Sequence, residues 1–542
     1  MIITMKNRHT ILFSGLLMAA AMSVQSQSLE DGLRFSQNNV SGSARFQGLA
    51  GAGSALGGDI TSAVINPAGL GFFRKSEFSF SGALGFASNQ TTYLENKTRD
   101  GKVSFNVPNF GLVLATGQQN NQRGLWRGGA FSFSLQRLAN FQNQFTYEGD
   151  NNRTSFLDYL AENASNADAN LDDISVTGIN DYGYYANDRN SGGSYYDDLA
   201  LSQLAYKNYL INPIPATNNG QIIKDRQGNT VYTTGYYASI GQAAKIRQRE
   251  TVNTTGAANQ WNIGYGGNVA DKFYFGANVG IVSVNYGLEK KLNETVLETT
   301  PVFIEEQEYS RFIDDYTYTE RVNARGSGLN ISGGIIYRPN DIIRFGASIT
   351  SPTSIRIQED FSKDISARFY QGAISNGTTS TQANNNPVRN EYTITRPWRA
   401  SGGVAVFLGK NGFITADAEY VPYNSITLNA NGDRSSGDTR FKSAVNLRLG
   451  GEARLDVFRV RAGFAYQDDP YRKNGGDDLD RKTLNFTLGG GIRQSKWYMD
   501  LAAVHSRRQS GYTPYVLSSD RVPSAITQNA ATNVVLTVGT FF

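Results

Sequence analysis

Short runs in which apolar residues alternate with polar or small ones recur along most of the chain. Phe78, Phe80, Leu84 and Phe86 alternate in this way, and residues 534–542 repeat the pattern up to the end of the sequence. A strand directs successive side chains to opposite faces, so each run predicts a strand with one apolar face. Further runs with the same alternation begin near residues 110, 131, 273, 343, 404, 414, 445, 458, 484 and 497.

The connections between these runs are alternately short and long. Residues 268–271 and 455–456 form short turns, whereas 89–100 and 149–246 are long and polar. Short periplasmic turns and long extracellular loops are typical of outer-membrane barrels, and a closed barrel leaves no final apolar strand as an exposed edge. Counting strands between the turns gives about 14, an even number. The sequence therefore predicts an all-β fold, an antiparallel transmembrane β-barrel with 14 strands.

Two segments do not fit the strand pattern. Residues 27–75 are rich in Gly and Ala, which suits close packing against other backbone, and we expect them to form an N-terminal hatch, or plug, inside the barrel. Residues 149–246 are too long for a structureless loop, and they contain apolar residues at helical spacing. We expect an extracellular insertion with two short helices and a small hairpin. The barrel itself then covers 76–542.

The first 26 residues have the composition of a secretory signal. Lys6 and Arg8 precede a 12-residue apolar run, 11–22, which is too short to span a membrane as a helix. We expect cleavage after Ser26. Cleavage would deliver the mature chain across the inner membrane, and the strand pattern then predicts the outer membrane of a gram-negative bacterium.

Composition narrows the possible functions. The 542 residues include 57 Gly, 30 Phe and 29 Tyr but no Cys, so there is no disulfide framework and no thiolate nucleophile. The net charge is only +4, without the basic stripe of a nucleic-acid-binding protein. His505 lies beside Ser506, but a catalytic Ser-His pair also needs an orienting group. We predict no enzyme activity, no cofactor and no metal site.

Strand parity directs several charged residues into the lumen, since a lipid-facing Arg near the bilayer midplane costs about 2–4 kcal/mol. An inward Arg suits a ligand carboxylate, but acids interleave with the arginines, which favours ion pairs that brace the wall and the hatch. The predicted lumen charges are Arg344, Arg399, Arg448, Arg459, Arg461, Asp417 and Glu419.

The predicted outer helices carry apolar side chains with two possible roles. They form either a groove that captures a hydrophobic ligand or a small core that closes the loop, and the sequence favours neither. The residues concerned are Phe156, Leu160, Leu204 and Tyr209.

Four stretches together resemble the outer-membrane transporters of long-chain fatty acids and hydrocarbons, the FadL/TodX type. Asn66-Pro67-Ala68 is similar to the motif of that family's hatch, and 333–352, 396–423 and 446–470 are similar to its hairpins. The resemblance implies a 14-stranded barrel closed by the hatch, capture of a hydrophobic ligand by the outer loops, and release through an opening in the wall. Pro108 is the candidate for that opening, since proline removes a ladder hydrogen bond.

The resulting hypothesis is passive uptake of a hydrophobic small molecule, such as a long-chain fatty acid or a hydrocarbon. The alternative is a barrel of the same fold that serves as a scaffold or shuttle in an outer-membrane complex for protein secretion or assembly. The expected partners are the hydrophobic small molecule, outer-membrane lipid, the barrel-assembly machinery and, in the alternative, an outer-membrane protein complex.

Overall fold

The fold is described from a computed structural model of the chain. The structure describes residues 25–116, 125–166, 194–241, 244–304, 307–309, 312–370, 380–384, 388–430, 433–473, 479–518 and 522–542. Most of the predicted signal peptide, 1–26, and the predicted turn 117–123 lie outside these residues.

Fourteen wall strands run through the described residues, and four of them consist of two segments separated by a short break. The strands are β1 (Glu77–Tyr93), β2 (Asn96–Thr116), β3 (Trp126–Asn140 and Asn143–Asn151), β4 (Lys245–Val269), β5 (Phe273–Glu298), β6 (Ile313–Tyr337), β7 (Ile343–Thr350 and Thr353–Phe369), β8 (Val388–Arg396 and Arg399–Phe407), β9 (Gly412–Pro422 and Thr427–Ala430), β10 (Ser443–Leu455), β11 (Phe458–Gln467), β12 (Thr483–Arg493), β13 (Trp497–Tyr512) and β14 (Ala525–Phe541).

Each strand pairs antiparallel with its neighbours, and the last strand pairs with the first. The β1–β14 ladder runs from Glu77 opposite Phe541 to Thr92 opposite Ile526, so it uses nearly the whole of both strands. The sheet is therefore a closed ring without a free edge at its ends. This confirms the predicted 14-stranded antiparallel barrel.

The outward side chains form an apolar band around the ring. Phe80, Phe105, Ile263 and Leu488 are exposed, with Phe105 exposed by 70%. The neighbouring inward positions are small or polar, such as Ser81. An apolar outer face and a polar interior are the arrangement of a barrel embedded in the outer membrane, as predicted.

The wall continues above the apolar band. A transmembrane strand needs only about 9–11 residues, whereas β5 has 26. In the outer half of β4 the outward residues are Arg247 and Arg249, which suit water rather than lipid. We call this part of the wall the outer extension. The polar stretch 89–100, expected to be a loop, is instead the outer ends of β1 and β2.

The described residues also contain five α-helices and three 3₁₀ helices, two of which, Tyr423–Ser425 and Gly437–Thr439, lie between the strand segments of β9 and β10. Before β1 lie α1 (Gln25–Ser36), α2 (Ala44–Gly48), α3 (Ser62–Ile65) and the 3₁₀ helix Pro67–Phe72; the extracellular insertion contains α4 (Phe156–Asn166) and α5 (Ser194–Lys207). The predicted extracellular helices are thus confirmed. No helix of the described residues has the length and apolarity to cross a membrane. The α4 and α5 helices pack with a hairpin, Ile211–Pro215 with Tyr232–Ala238, into an outer cap over the extension.

Candidate functional site

Residues 38–73 lie inside the ring, because they contact strands on all sides of it. The α2 helix packs against β11 to β14, and the 3₁₀ helix packs against β3 to β6. The Ala44 amide donates to Thr537 Oγ1 on β14 (2.7 Å), and Thr487 Oγ1 on β12 donates to the Gly48 carbonyl (3.0 Å). We use the name hatch for these residues.

Glycines of the wall provide the seat for the hatch. A Cβ atom on Gly276, Gly334 or Gly346 would fall well inside the contact distance of Pro67, Asn66 or the Ser54 backbone, respectively. Only glycine lets the hatch backbone approach these strands so closely. Among the hatch glycines, Gly71 approaches the wall backbone at Gly267 as expected, whereas Gly53 and Gly57 are crowded by the hatch's own Phe46 and Phe72.

The Asn66-Pro67-Ala68 motif lies at this seat. The Asn66 Oδ1 atom accepts from the Ala68 amide (3.1 Å) and begins the 3₁₀ helix, while Nδ2 donates to the carbonyls of Ser54 (2.7 Å) and Ile335 (3.1 Å). The Asn66 side chain therefore joins two parts of the hatch to wall strand β6. Its full burial makes each of these hydrogen bonds costly to lose.

Three of the seven predicted lumen charges pair with one another, and a fourth, Asp417, binds the hatch. Glu419 pairs with Arg399 (3.3 Å) and Arg448 (2.5 Å). Asp417 Oδ2 accepts from the hatch amides of Gly53 (2.8 Å) and Ser54 (2.7 Å). These contacts support the bracing interpretation, since the carboxylates join wall to wall and wall to hatch.

A separate ion-pair group is centred on Glu452. It pairs with Arg461 (2.8 Å), which also reaches Asp500 (2.6 Å), and lies 3.7 Å from Arg45 of the hatch. Strand parity also places Glu452 in the lumen, whereas Asp500 is missing from the predicted lumen charges although it faces inward on β13. Loss of one member of such a buried pair costs about 3–5 kcal/mol.

Two predicted lumen charges have other surroundings. The Arg344 guanidinium lies between the rings of Phe72 (4.5 Å) and Phe407 (4.1 Å), so it contacts the hatch through aromatic faces. The Arg459 guanidinium instead donates to the carbonyls of Asp456 (2.5 Å) and Phe458 (2.7 Å) at the periplasmic turn. Arg459 therefore caps a turn and takes no part in the lumen ion pairs.

Above the hatch, inward side chains of β3 to β10 form an apolar chamber, and α1 fills it. Leu29, Leu33 and Phe35 of this helix are buried there. The Phe35 ring lies 5.8 Å from the rings of both Phe141 and Tyr286. The chamber residues on the wall include Leu138, Ala139, Val282, Val284, Ala324, Ile355, Ile357, Ile394, Ile426 and Leu428.

A polar cavity separates this chamber from the hatch. The cavity has a volume of about 50 Å³, and Asn38, Gln260, Arg396 and Glu419 are among its lining residues. A hydrophobic ligand gains roughly 25 cal/mol per Å² of apolar surface removed from water, so this cavity suits it poorly and the apolar chamber suits it well.

The ladder between β2 and β3 is interrupted at the height of the chamber, and side-chain bonds from Asp100 to Thr146 join the two strands again above it. Their ladder runs from Thr116 opposite Gly129 to Asn109 opposite Gln136 and ends immediately before Pro108. In the described residues, the outer half of β2 pairs only with β1, and the outer segment of β3 pairs only with β4. We call this interruption the β2–β3 gap.

Side chains and the hatch cover the gap. Lys102 Nζ on β2 donates to Asn253 Oδ1 on β4 (2.7 Å) across it. From inside, the Asn39 amide donates to the Leu138 carbonyl (2.8 Å), and Asn39 Oδ1 accepts from the Asn140 amide (3.3 Å). At Pro108, therefore, the neighbouring wall strands are joined by side-chain hydrogen bonds and not by a backbone ladder.

The four residues proposed for ligand capture have different surroundings in the outer cap. Phe156 and Leu160 of α4 are buried in the core of the cap, and Leu204 of α5 packs against that core. Tyr209 is 43% exposed and has a positive φ of 58°, just after α5. The four side chains do not form one open groove, and the first two serve as core.

Buried carboxylates anchor the cap to the outer extension. Glu294 of β5 accepts from the Phe156 amide (3.1 Å), from Tyr316 (2.5 Å) and from Gln248 Nε2 (2.6 Å). Burial raises the pKa of Glu294. The carboxylate faces the first turn of α4, where negative charge is favourable. A side chain of β5 thus caps the N-terminus of α4.

The neighbouring Glu250 predicts a pH dependence of the outer extension. Burial raises the pKa of Glu250 to about 7, with Glu320 adding to the shift, while Lys290, Tyr512 and Tyr147 oppose it. A raised carboxyl pKa contributes stability that is fully present below the unfolded-state value, near 4.5, and is lost as the pH rises through 7. We expect roughly ten-fold stronger hydrogen-exchange protection of this region at pH 5 than at pH 8 after correction for intrinsic rates. An equal difference in Glu250→Gln would refute this assignment.

Sequence reasoning missed two parts of the site that the sequence does contain. Paired glycines occur in wall runs at 333–334, 402–403 and 450–451, and one member of each pair faces inward. Leu29 and Leu33 are four residues apart, the spacing of one helix face. Among the described residues, no group of three His, Asp or Glu side chains is placed to hold a metal ion.

The closed wall, the apolar band and the filled lumen define an outer-membrane barrel with an internal N-terminal domain. The chain shares its fold with a Pseudomonas aeruginosa FadL homologue of known structure, with a TM-score of 0.51 and 13% identity over 94% of this chain and 99% of that one. This confirms the FadL/TodX resemblance at the level of the fold.

Two further solved structures are similar over a comparable length. They are the P. putida toluene transporter TodX (12% identity, 94% of this chain and 99% of that one, TM-score 0.48) and the Ralstonia pickettii toluene transporter TbuX (13%, 93% and 99%, 0.47). No family model and no curated protein match the sequence.

Proposed function

We propose that this barrel mediates passive uptake of hydrophobic small molecules across the outer membrane. The observation that carries the proposal is the position of the apolar chamber beside the β2–β3 gap. Leu138, Ala139 and Phe141 belong both to the chamber and to the bend of β3 at the gap. A ligand in the chamber is thus next to the place where the wall lacks a ladder.

In this proposal α1 occupies the chamber until a ligand replaces it. The helix contributes Leu29, Leu33 and Phe35 to the chamber, and a ligand with similar apolar surface recovers the same burial energy. Residue Asn39 links the end of this segment to the bend of β3, so withdrawal of α1 also loosens the inner cover of the gap. The hatch below keeps water and ions from passing. Release through the gap then delivers the ligand sideways, without crossing the polar cavity.

Closing the gap is the direct test. Lys102→Cys with Asn253→Cys, joined by a short bifunctional thiol reagent, ties β2 to β4 where their side chains meet at 2.7 Å. Because the chain has no Cys, only the introduced pair reacts. We expect uptake of a fluorescent 16-carbon fatty acid by cells to fall roughly ten-fold on bridging, as expected for a blocked path.

A matched control uses the same two wall strands where the ladder is intact. Leu114 lies opposite Phe131 in the β2–β3 ladder, so a bridged Leu114→Cys/Phe131→Cys pair adds no new constraint. Uptake should be normal in this control. If bridging at Lys102 and Asn253 leaves uptake unchanged, the ligand does not leave through this gap.

A scaffold role is the second candidate, and one surface favours it. The hairpin of the outer cap carries exposed apolar side chains, including Ile214, Ile223 and Tyr232. Exposed apolar clusters mark protein contacts more often than isolated residues do. Replacement of these three residues by Ser should leave uptake unchanged if the barrel is a transporter. Loss of a co-purifying outer-membrane protein, with normal barrel levels, would support the scaffold role instead.

A further inference from the structure

The periplasmic edge of the barrel carries a surplus of positive charge. We call the described residues of its turns and of the segment before β1 the basic rim; they are 74–76, 126–127, 270–272, 338–342, 408–412, 454–459 and 493–497. Ten of these residues are Lys or Arg, and three are Asp. The extracellular insertion, 149–246, has the opposite balance, with six basic and eleven acidic residues. Positive charge is thus concentrated at one edge of the wall.

Carboxylates of the rim neutralise only part of this charge. Asp271 pairs with Arg74 (2.5 Å), and Asp341 pairs with Arg338. Four exposed lysines of the rim have no carboxylate of the described residues within ion-pair distance. They are Lys75, Lys272, Lys410 and Lys496. A group of exposed cations without counter-ions creates a positive potential that attracts anions.

These lysines lie at the lower boundary of the apolar band. Lys272 precedes Phe273, and Lys496 precedes Trp497; the two aromatic side chains face outward and are 56% and 44% exposed. Aromatic side chains form girdles at both membrane interfaces of an outer-membrane barrel. A lysine next to such a girdle can lay its alkyl stem along the apolar surface and extend its ammonium group into the headgroup layer. The rim is therefore at the height of the phospholipid headgroups of the inner leaflet.

The lysines are distributed around the barrel. Lys75 precedes β1, Lys272 lies between β4 and β5, Lys410 lies between β8 and β9, and Lys496 lies between β12 and β13. A soluble acidic protein would contact one side of the barrel or its periplasmic mouth, whereas lipid surrounds the whole wall. The distribution of the lysines and their position beside the aromatic girdle therefore favour lipid as the source of the anion.

Two of the lysines meet at the β12–β13 turn. Lys75 Nζ donates to the Ser495 carbonyl (3.4 Å), and Lys496 is the next residue in that turn. The exposed Trp497 follows, and its indole carries a further N–H donor. A phosphodiester anion at this turn is thus close to two cations and to a tryptophan whose fluorescence can report on it.

We propose that the basic rim binds the headgroups of anionic phospholipids, so that the inner leaflet around the barrel is enriched in these lipids. The lysine ammonium groups contact the phosphodiester, and the aromatic girdle contacts the acyl chains. The inference is independent of the proposed uptake function, because it involves neither the lumen nor the β2–β3 gap. Contacts of this kind hold the barrel at a fixed height in the membrane, since each lysine is tied to the headgroup layer.

Quenching of a single tryptophan by brominated lipid tests the proposal. The chain has four Trp residues, so Trp126→Phe, Trp261→Phe and Trp398→Phe together leave Trp497 as the reporter. The full-length barrel is reconstituted in phosphatidylcholine vesicles that contain either brominated phosphatidylglycerol or brominated phosphatidylcholine. At about 0.1 M salt, where the Debye length is about 10 Å, we expect the anionic lipid to bind beside Trp497 roughly five-fold more strongly than the zwitterionic lipid.

Two double variants with the same loss of charge show whether the lysines at the turn are responsible. Lys75→Gln/Lys496→Gln should bring the two lipids close to equal quenching of Trp497, and Lys75→Arg/Lys496→Arg should keep the preference. Lys272→Gln/Lys410→Gln should also keep it, because these residues are at least four strands away, about 19 Å along the wall. All four lysines are exposed, so we expect each variant to form a closed barrel with normal heat-dependent migration in electrophoresis.

A reporter at the opposite edge is the control for lipid access. Trp398 is exposed on β8 between Val406 below and Arg389 above, and Arg389 is paired with Asp360. A barrel in which Trp398 is the single tryptophan should be quenched equally by both lipids. Equal quenching at Trp497 would overturn the proposal and leave a soluble acidic partner as the occupant of the rim. A preference that persists in Lys75→Gln/Lys496→Gln, or one that is lost in Lys272→Gln/Lys410→Gln, would overturn it as well.

Discussion

Deletion of residues 28–64 should convert the barrel into an open pore. These residues include α2 and most of α1 and α3, which between them contact strands around most of the ring. Barrels of 16–18 strands enclose an aqueous channel when nothing fills them, and a 14-stranded wall is close to that size. In planar bilayers we expect stepwise currents of the size given by open porins, whereas the full-length protein should conduct no measurable current.

A deletion in the outer cap is the matched control for this prediction. The hairpin tip 217–231 lies in the cap, and nearly all of its side chains are exposed. Its removal should leave the barrel closed to ions. Currents from the intact protein would refute the hatch as a seal. A closed barrel after deletion of 28–64 would show that the outer cap alone closes the lumen.

The second large effect is expected from a single methyl group at the hatch seat. In Gly334→Ala the new Cβ meets the side chain of Asn66, which is buried and hydrogen-bonded on both sides. Overpacking of this kind costs about 1–3 kcal/mol. Because the barrel wall is held by its own ladders, we expect this cost to fall on the seated hatch. The unseated fraction should rise roughly ten-fold or more.

Gly333→Ala is the control on the neighbouring residue. A Cβ at Gly333 would meet only the Gly276 carbonyl oxygen, at an ordinary distance of 3.8 Å. The two variants thus differ in which face of β6 receives the methyl group. We expect bursts of conductance and faster protease cleavage of the hatch in Gly334→Ala alone. Equal behaviour of both variants would show that the hatch tolerates a side chain at its seat.

The wall was predictable because its physical signal is local. Period-two alternation, as in Phe78 to Phe86, follows from the geometry of one strand and needs no knowledge of its partners. The alternation of short and long connections then indicates an antiparallel barrel with its short turns on one side of the membrane. The expectation of a loop at 89–100 is wrong. These residues are polar because β1 and β2 continue as paired strands into water above the membrane.

The site was less predictable because it depends on contacts between distant residues. Strand parity placed Arg399, Arg448 and Glu419 in the lumen, but it does not tell which of them pair. Arg396 was not predicted because the break at 397–398 of β8 shifts the inward parity by one residue. Even-numbered residues such as Arg396 face inward above this break, and odd-numbered residues such as Arg399 face inward below it. The spacing of Phe156 and Leu160 predicts one apolar helix face, but the same spacing occurs whether that face lines a ligand groove or a closed core.

The ladder that joins β14 to β1 has a consequence for biogenesis. The hatch precedes every wall strand in the chain, yet its Ala44 amide donates to Thr537, and the Phe542 amide donates to the Ser76 carbonyl just before β1. These bonds form only when the last strand arrives. The wall must therefore stay open at one side until the last strand is added, and only then can it close around the hatch. A truncated chain lacks this final strand and leaves the unclosed sheet, with its contents, exposed to the proteases of the periplasm.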